Sequence, residues 1–329
     1  MYPVTAVRDL SYTLIKKRQT MKTIRKPICL LMAAACLCAC SKDKDGALPD
    51  GAADIVLSAG IPTASVQSKA PVNSGDKFSP SVAGWESSSA VNYAVAPTWQ
   101  TTTSEITASA TTQAVTLTDG QVYSADKTIK TYMKAWYPQG TLADGQVTFT
   151  GDASYKGDGT DDVLLAGEVS GSKIDRANKV LAFGHMATQL KFVVIEGEGL
   201  SADTKLMKIE LKNVEVPGGI NLVTNALTGT AKEALSVPDI DGSLVIGTTE
   251  AGDAAGSPLM IVPPVGNTVT MKVTTSTAVF DNITATIDTD ENFVAGKAYT
   301  IALTFNQQKV DLNATLADWS AGTGSGTVI

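Results

Sequence analysis

Beyond residue 40 the chain holds no long stretch whose apolar residues recur every 3.6 positions. They alternate with polar ones in short runs, which Gly, Asp, Asn and Pro interrupt. A period of two is that of a strand with one buried face, and the interrupting residues are those that make turns. The chain therefore reads as all-β. No strand–helix–strand alternation is present, which argues against a doubly wound nucleotide fold.

Strand candidates follow from the runs. Ala53–Ser58 is the first, and a linker-like stretch from Pro62 to Pro80 follows it. Val91–Val95 is the second, closed by Pro97. In Thr128–Tyr137, Ile129, Thr131, Met133 and Ala135 alternate with Lys130, Tyr132, Lys134 and Trp136, which predicts a strand with one inward face, stopped by Pro138. Gln146–Thr150 and Asp161–Ala166 complete a first set. The polar segment Ser170–Asn178 reads as a domain junction. Beyond it come Leu190–Ile195, Met207–Lys212, Leu244–Ile246, Pro258–Val262, Val269–Thr274, Ile283–Ile287 and Ala298–Phe305, spaced as in a β-sandwich. These runs divide the chain into an N-terminal sandwich over 54–177 and a C-terminal one over 178–329. At the end Val310, Leu312, Ala314 and Leu316 are spaced by two, with Asp311, Asn313 and Thr315 between them. Read from the residues alone, this is a last edge strand over 310–319.

The N-terminus reads as a targeting segment. Lys22, Arg25 and Lys26 precede an apolar run from Ile28 to Cys38, too short to span a bilayer. Met21 fits as the true start, with residues 1–20 an upstream extension. Leu37-Cys38-Ala39-Cys40 has the layout of a bacterial lipobox, in which cleavage before the cysteine leaves an acylated N-terminus at Cys40. An ordinary signal peptide without lipid is the alternative. Residues 1–39 are then the signal region and 40–53 a polar tether. All four cysteines (Cys29, Cys36, Cys38 and Cys40) lie at or before the cut, so the exported chain has no disulfide or thiol chemistry. The removed piece carries seven of the 26 Lys/Arg and one of the 33 Asp/Glu. The remaining 290 residues hold 19 bases and 32 acids, net −13, a poor partner for nucleic acid or anionic lipid headgroups.

Catalytic constellations are scarce. His185 is the only histidine, reads as a packed, hydrogen-bonded residue, and leaves no set of His or Cys ligands for zinc. No nucleophile-elbow pattern follows a strand. The acids at Asp158, Asp161 and Asp162, and at Asp288, Asp290 and Glu291 beside Asn292, read as solvated turns. Trp85, Trp99, Trp136 and Tyr137 offer a sugar-stacking platform or, more ordinarily, core anchors. No cofactor, metal or catalytic residue is expected.

Several short pieces, in order, resemble a known family. They are the lipobox at Cys40, Ile55–Ile61, Ser68-Lys69-Ala70, Ala135-Trp136-Tyr137-Pro138, Asp162–Ala166, Phe183-Gly184-His185 running into Leu190-Lys191-Phe192, Gly296–Ile301 and Ala317-Asp318-Trp319. The set is similar to the fimbrillin family, lipoprotein pilins of Gram-negative gut and oral anaerobes. The resemblance implies two tandem transthyretin-like β-sandwich domains and transport, by way of lipid on Cys40, to the outer-membrane surface. It also implies a pilus subunit that mediates adhesion and self-assembles with other pilins. In this family a trypsin-like protease removes the first strand, here Asp54–Ser58, by cutting in the following loop. The matching bond is Lys69–Ala70, where family members usually carry Arg, so a lysine-tolerant protease is required. The vacated groove then accepts a strand from the next subunit, for which Val310, Leu312, Ala314 and Leu316 are the candidates. The competing expectation is a surface glycan-binding lipoprotein of a nutrient-uptake system.

Overall fold

The computed structural model describes residues 53–62, 72–248, 252–287, 291–307 and 310–318. Among them are strands and no helix, as the period of two requires. In chain order these are β1 (Ala53–Asp54), β2 (Leu57–Gly60), β3 (Lys77–Phe78), β4 (Ser81–Ser87), β5 (Trp99–Thr102), β6 (Ile106–Thr107), β7 (Gln113–Val115) and β8 (Val122–Tyr123). Then come β9 (Lys130–Tyr137), β10 (Thr141–Ala143), β11 (Gln146–Thr148), β12 (Leu164–Ala166), β13 (Val169–Gly171), β14 (Lys179–His185) and β15 (Thr188–Glu196). The rest are β16 (Leu206–Asn221), β17 (Ala226–Ser236), β18 (Asp253–Ala254), β19 (Leu259–Ile261), β20 (Thr268–Thr275), β21 (Val279–Thr286), β22 (Lys297–Phe305) and β23 (Val310–Asp318).

Three sheets carry the architecture. One runs β5-β4-β9-β12-β14-β2-β7, with β13 also on β9. A second runs β10-β11-β16-β20-β21, with β17 on β16. A third runs β18-β15-β22-β23, with β19 on β15. Inward residues of the last two sheets, among them Leu190, Ile209, Leu211, Met271, Ile301 and Leu303, enclose one apolar core. Leu57, Ala59, Val82, Met133, Leu181 and Phe183 belong to another.

A third cluster joins residues far apart in sequence. Trp85, Trp136, Val147 and Phe149 pack with Ile220 and Leu222. The backbone is continuous across the same place, because β11 pairs with the far end of β16 (Val147↔Ile220, Thr148↔Gly219). Gly219 permits this approach: a Cβ there would lie 2.1 Å from the Val147 carbonyl oxygen.

Five expectations change in the structure. The boundary expected at 177/178 moves past β14, which pairs with β2 and β12 in the first sheet and buries Leu181 and Phe183 in its core. Val91–Val95 is a turn, since Asn92 Oδ1 accepts the Ala94 N–H at 3.0 Å and Val95 O accepts the indole N–H of Trp85 at 2.9 Å. β9 buries both faces: Met133 and Ala135 face one core, and Trp136 joins the cluster that Ile220 and Leu222 complete. Leu244–Ile246 reaches only an isolated bridge between Val245 and Lys205. The residues of β17 are mostly small, polar or charged and mostly exposed, with Leu235 alone buried, so they predict no strand. β17 forms because the 16-residue β16 offers it a ladder from Glu210 to Asn221.

Candidate functional site

β2, which holds part of the first strand expected from the sequence, is an interior strand. β2 lies between β14, to which it is parallel, and β7, to which it is antiparallel. Leu57 faces Lys179 on one side and Val115 on the other, Ser58 faces Val180 and Ala114, and Ala59 faces Leu181 and Gln113. The ladder extends past both ends. Ile55 N–H donates to Gln121 O at 2.9 Å and Ile61 N–H to Ser109 O at 2.8 Å. On the outer face Asn178 Nδ2 donates to Ser58 Oγ at 2.9 Å.

The side chains explain why this segment folds there. Ile55, Leu57, Ala59 and Ile61 alternate with Val56, Ser58 and Gly60, and all four sink into one core. Leu57, Ala59 and Ile61 are 1%, 0% and 0% exposed, whereas Val56 is 51% exposed. Burying the three large side chains is worth roughly 5–9 kcal/mol in all, at about 1.5–3 kcal/mol each. That is a sizeable fraction of the roughly 5–15 kcal/mol stability of a domain.

The walls of this slot do not depend on β2 alone. β14 also pairs with β12, Leu165 lying opposite Gly184. Beyond β7 the chain is tied back to the sheet by the bridge Thr103↔Leu117 and by Thr118 N–H to Thr102 O at 2.8 Å. Without β2, β14 and β7 would face each other across a gap one strand wide, about 10 Å.

The chain after the slot is held at a second point. Val72 N–H donates to Asp162 Oδ2 at 3.0 Å, and the same oxygen lies 2.8 Å from His185 Nδ1. Both side chains of the Asp162–His185 pair are 2% exposed. His185 is thus packed and hydrogen-bonded. Asp161 is buried beside it and accepts the Lys156 and Gly157 amides at 2.9 and 2.5 Å. Burial pushes its carboxyl above the ordinary value, against those two donors. The solvated-turn expectation therefore holds at exposed Asp158 and fails at Asp161 and Asp162, whose side chains order the segment that leads into β12.

The C-terminal strand is docked on its own sheet. β23 pairs antiparallel with β22 from Val310↔Phe305 to Asp318↔Lys297 and, among the described residues, has no strand on its other side. Ala314 is buried, Val310 and Leu312 are half-buried against the same core, and Leu316 is 37% exposed. Of the residues singled out from sequence, Cys40, Lys69, Ala70, Asp288 and Asp290 lie outside the described residues, as does the end of the tail from 319. The described chain leaves Ile61 and Pro62 on one side of the Lys69–Ala70 bond and resumes at Val72 on the other.

The aromatic platform does not form. Trp85 and Trp136 are buried, and their indole N–H groups donate to Val95 O and Gln139 O. Among the described residues no group of three His, Cys, Asp or Glu is arranged to hold a metal.

The profile of the family described as "Fimbrillin-like" matches residues 66–319. A curated protein of Bacteroides uniformis, named "Putative fimbrium subunit Fim1C", is 27% identical over 206 residues. That match takes in 58% of this chain and spans 62% of the relative's length. Among solved structures, a "putative cell adhesion protein" from Bacteroides uniformis aligns with a TM-score of 0.50 at 19% identity, over 83% of this chain and 100% of its own. Another of that description from Bacteroides ovatus aligns with a TM-score of 0.50 at 14% identity, with the same coverage. At these identities the two structures speak for the all-β fold.

Proposed function

The chain belongs to the fimbrillin-like family, and on that premise we propose that it is a structural subunit of a surface fimbrium that mediates cell adhesion. It is exported as a lipoprotein through Cys40 to the outer-membrane surface. There a protease cuts after Lys69, and residues 40–69 leave together with lipid and first strand. The subunit then joins its neighbours by strand exchange. Its tandem transthyretin-like sandwiches, the first including β2, β4, β9, β12 and β14 and the second including β15, β16, β20 and β22, are tied by the pairing of β11 with β16. As a scaffold subunit it acts without catalysis.

The observation that carries this reading is the position of β2. A short strand can sit at a sheet edge with a single ladder. This one is interior, fully buried and flanked on both sides, so its removal opens a slot with apolar walls and two unpaired ladders. Such a slot is a strong acceptor for an extended segment, because main-chain hydrogen bonds supply affinity and alternate side chains fill its pockets. Left empty it is an aggregation hazard, which assembly relieves. The burial of Trp85 and Trp136 removes the main support for the glycan-binding alternative.

Limited trypsin treatment of the lipidated precursor tests the proposal. Cleavage after Lys69 is expected to give an N-terminus at Ala70 and to start polymer formation. A protein that is cut there and stays monomeric overturns the strand-exchange reading. The N-terminal residue of protein shed from cells gives an independent check: Ala70 supports processing, and acylated Cys40 opposes it.

A further inference from the structure

The two strands that the strand-exchange reading connects carry the same inward pattern. The leaving strand presents Ile55, Leu57, Ala59 and Ile61, and the C-terminal strand presents Val310, Leu312, Ala314 and Leu316. Both tetrads are spaced by two, both have leucine second, and both have alanine third. Resting on that reading, we propose that the vacated slot takes the C-terminal strand of a second copy of this chain in a single register and direction. Val310, Leu312, Ala314 and Leu316 occupy the places of Ile55, Leu57, Ala59 and Ile61, and the strand runs parallel to β14.

The position of the alanine decides this. Leu57 and Ala59 are both essentially inaccessible to solvent, so neither pocket has spare room at an open edge. Sliding the donor by two residues one way puts Leu312 at the alanine position and Ala314 at that of Ile61. Sliding it the other way puts Ala314 at the place of Leu57 and Leu316 at that of Ala59. Reversing the strand about Asn313 also exchanges leucine and alanine. Each alternative overpacks one pocket and leaves a cavity in another, and both defects are costly in a close-packed core.

The outward face fits the same register. Exposed Asp311 takes the place of exposed Val56, and Asn313 takes that of Ser58, within reach of the Asn178 amide. Thr315 falls at Gly60, where an added Cβ would lie 3.3 Å from Ser109 O and 3.4 Å from Thr112 Cα. Residues 110–112 are exposed, so that turn can yield by the few tenths of an ångström required.

The donor trades one ladder for two, at the cost of uncovering β22 and the core beneath it. Among the described residues the strand has β22 as its one ladder neighbour, and Val310 and Leu312 are only half-buried. In the slot it gains a second ladder, and its inward side chains become as buried as Leu57 and Ile61. While β2 fills the slot the second ladder is not available, so the donor stays on β22 until the first strand is gone.

Cysteine pairing reads the register directly, because processing removes every native cysteine. Ala182 is exposed on β14 and lies opposite Gly60. An Ala182→Cys precursor is mixed with a precursor carrying Thr315→Cys, Asn313→Cys or Asp311→Cys. Each mixture is then cleaved after Lys69 and oxidised. The proposed register brings residue 315 of one copy opposite residue 182 of the next, within disulfide reach. A non-reducing gel should therefore show disulfide-linked dimers with Thr315→Cys, abolished by reductant, and none with the other two. Linkage through residue 313 would mean a two-residue slip, and linkage through residue 311 a reversed strand. Either overturns the register while leaving strand exchange intact, as would polymers in which none of the three pairs links. Absence of polymers from the unsubstituted, cleaved protein would overturn strand exchange itself and the register with it.

Discussion

Asn178 reaches across from the chain leading into β14 and donates its side-chain N–H to Ser58 Oγ at 2.9 Å. This bond caps the outer face of the slot, opposite the core that Leu57 and Ala59 fill. Asn178→Ala should leave Ser58 without that donor and weaken the hold on β2 by about 1 kcal/mol. Hydrogen exchange at Ser58 and Ala59 measures the effect. Unchanged protection of those two amides would show that the bond contributes nothing to retention of the strand.

Leu57 is the inward anchor of the same strand. Leu57→Ala in the precursor should lower stability by about 2–5 kcal/mol, the usual cost of a leucine-sized cavity. After cleavage the weakened strand should also leave faster, so polymers should appear sooner than in the wild type. Urea unfolding of the precursor and light scattering after trypsin measure the two effects. A destabilised precursor with an unchanged lag would mean that strand departure does not limit assembly.

Asp162 serves two partners, His185 Nδ1 at 2.8 Å and the Val72 amide at 3.0 Å. Asp162→Asn removes a buried carboxylate from both and should cost about 1–3 kcal/mol. Because Val72 lies just downstream of the cleavage candidate, the variant should also be cut faster at Lys69. Equal cleavage rates in folded wild type and variant would show that this anchor does not reach the scissile segment.

Asp161 gives stability a pH dependence of definite sign. Burial raises its carboxyl above the ordinary 3.8, the Lys156 and Gly157 amides pulling the other way, so the folded chain binds that proton more tightly than the unfolded chain. The resulting stabilisation is complete below 3.8 and lost as pH rises through the raised folded value. Wild type should therefore gain stability relative to Asp161→Asn as pH falls from about 7 to below about 4. A gap in urea midpoints that stays constant over this range would refute the assignment.

Lys134 is 3% exposed, its Nζ 3.9 Å from the Tyr93 ring centroid and hydrogen-bonded to Leu222 O and Asn225 Oδ1. Burial lowers its pKa, partly offset by Glu168. Lys134→Met keeps the apolar stem and should cost about 1 kcal/mol, since water can reach the exposed 223–225 turn. Lys134→Ala also opens a cavity and should cost about 2–3 kcal/mol. Equal losses in chemical denaturation would assign the residue's role to its charge alone.

Much of this was legible in local pattern. Period-two runs located β9, β15, β20, β22 and β23, because a strand with one wet face writes its burial into every second residue. The same rule failed at β9, where Lys134 and Trp136 look outward in sequence and are buried in the fold. It also failed at β17, whose exposed residues carry no apolar code. His185 read correctly as a packed residue, but nothing local linked it to Asp162 or Val72. Asp161 and Asp162 looked like turn acids, since burial of a carboxylate depends on what covers it.

The sequence by itself determined the all-β class, the short strands and the two apolar tetrads at 55–61 and 310–316, because alternation and turn chemistry act between near neighbours. Tertiary structure alone decided which strands became neighbours. It put Leu57 between Lys179 and Val115, made β2 an interior strand, and parked Ala314 on a sheet edge. Pairing joins residues more than a hundred positions apart through backbone groups that every residue shares, so side-chain pattern says that a strand will pair and leaves its partner to the packing of the whole chain.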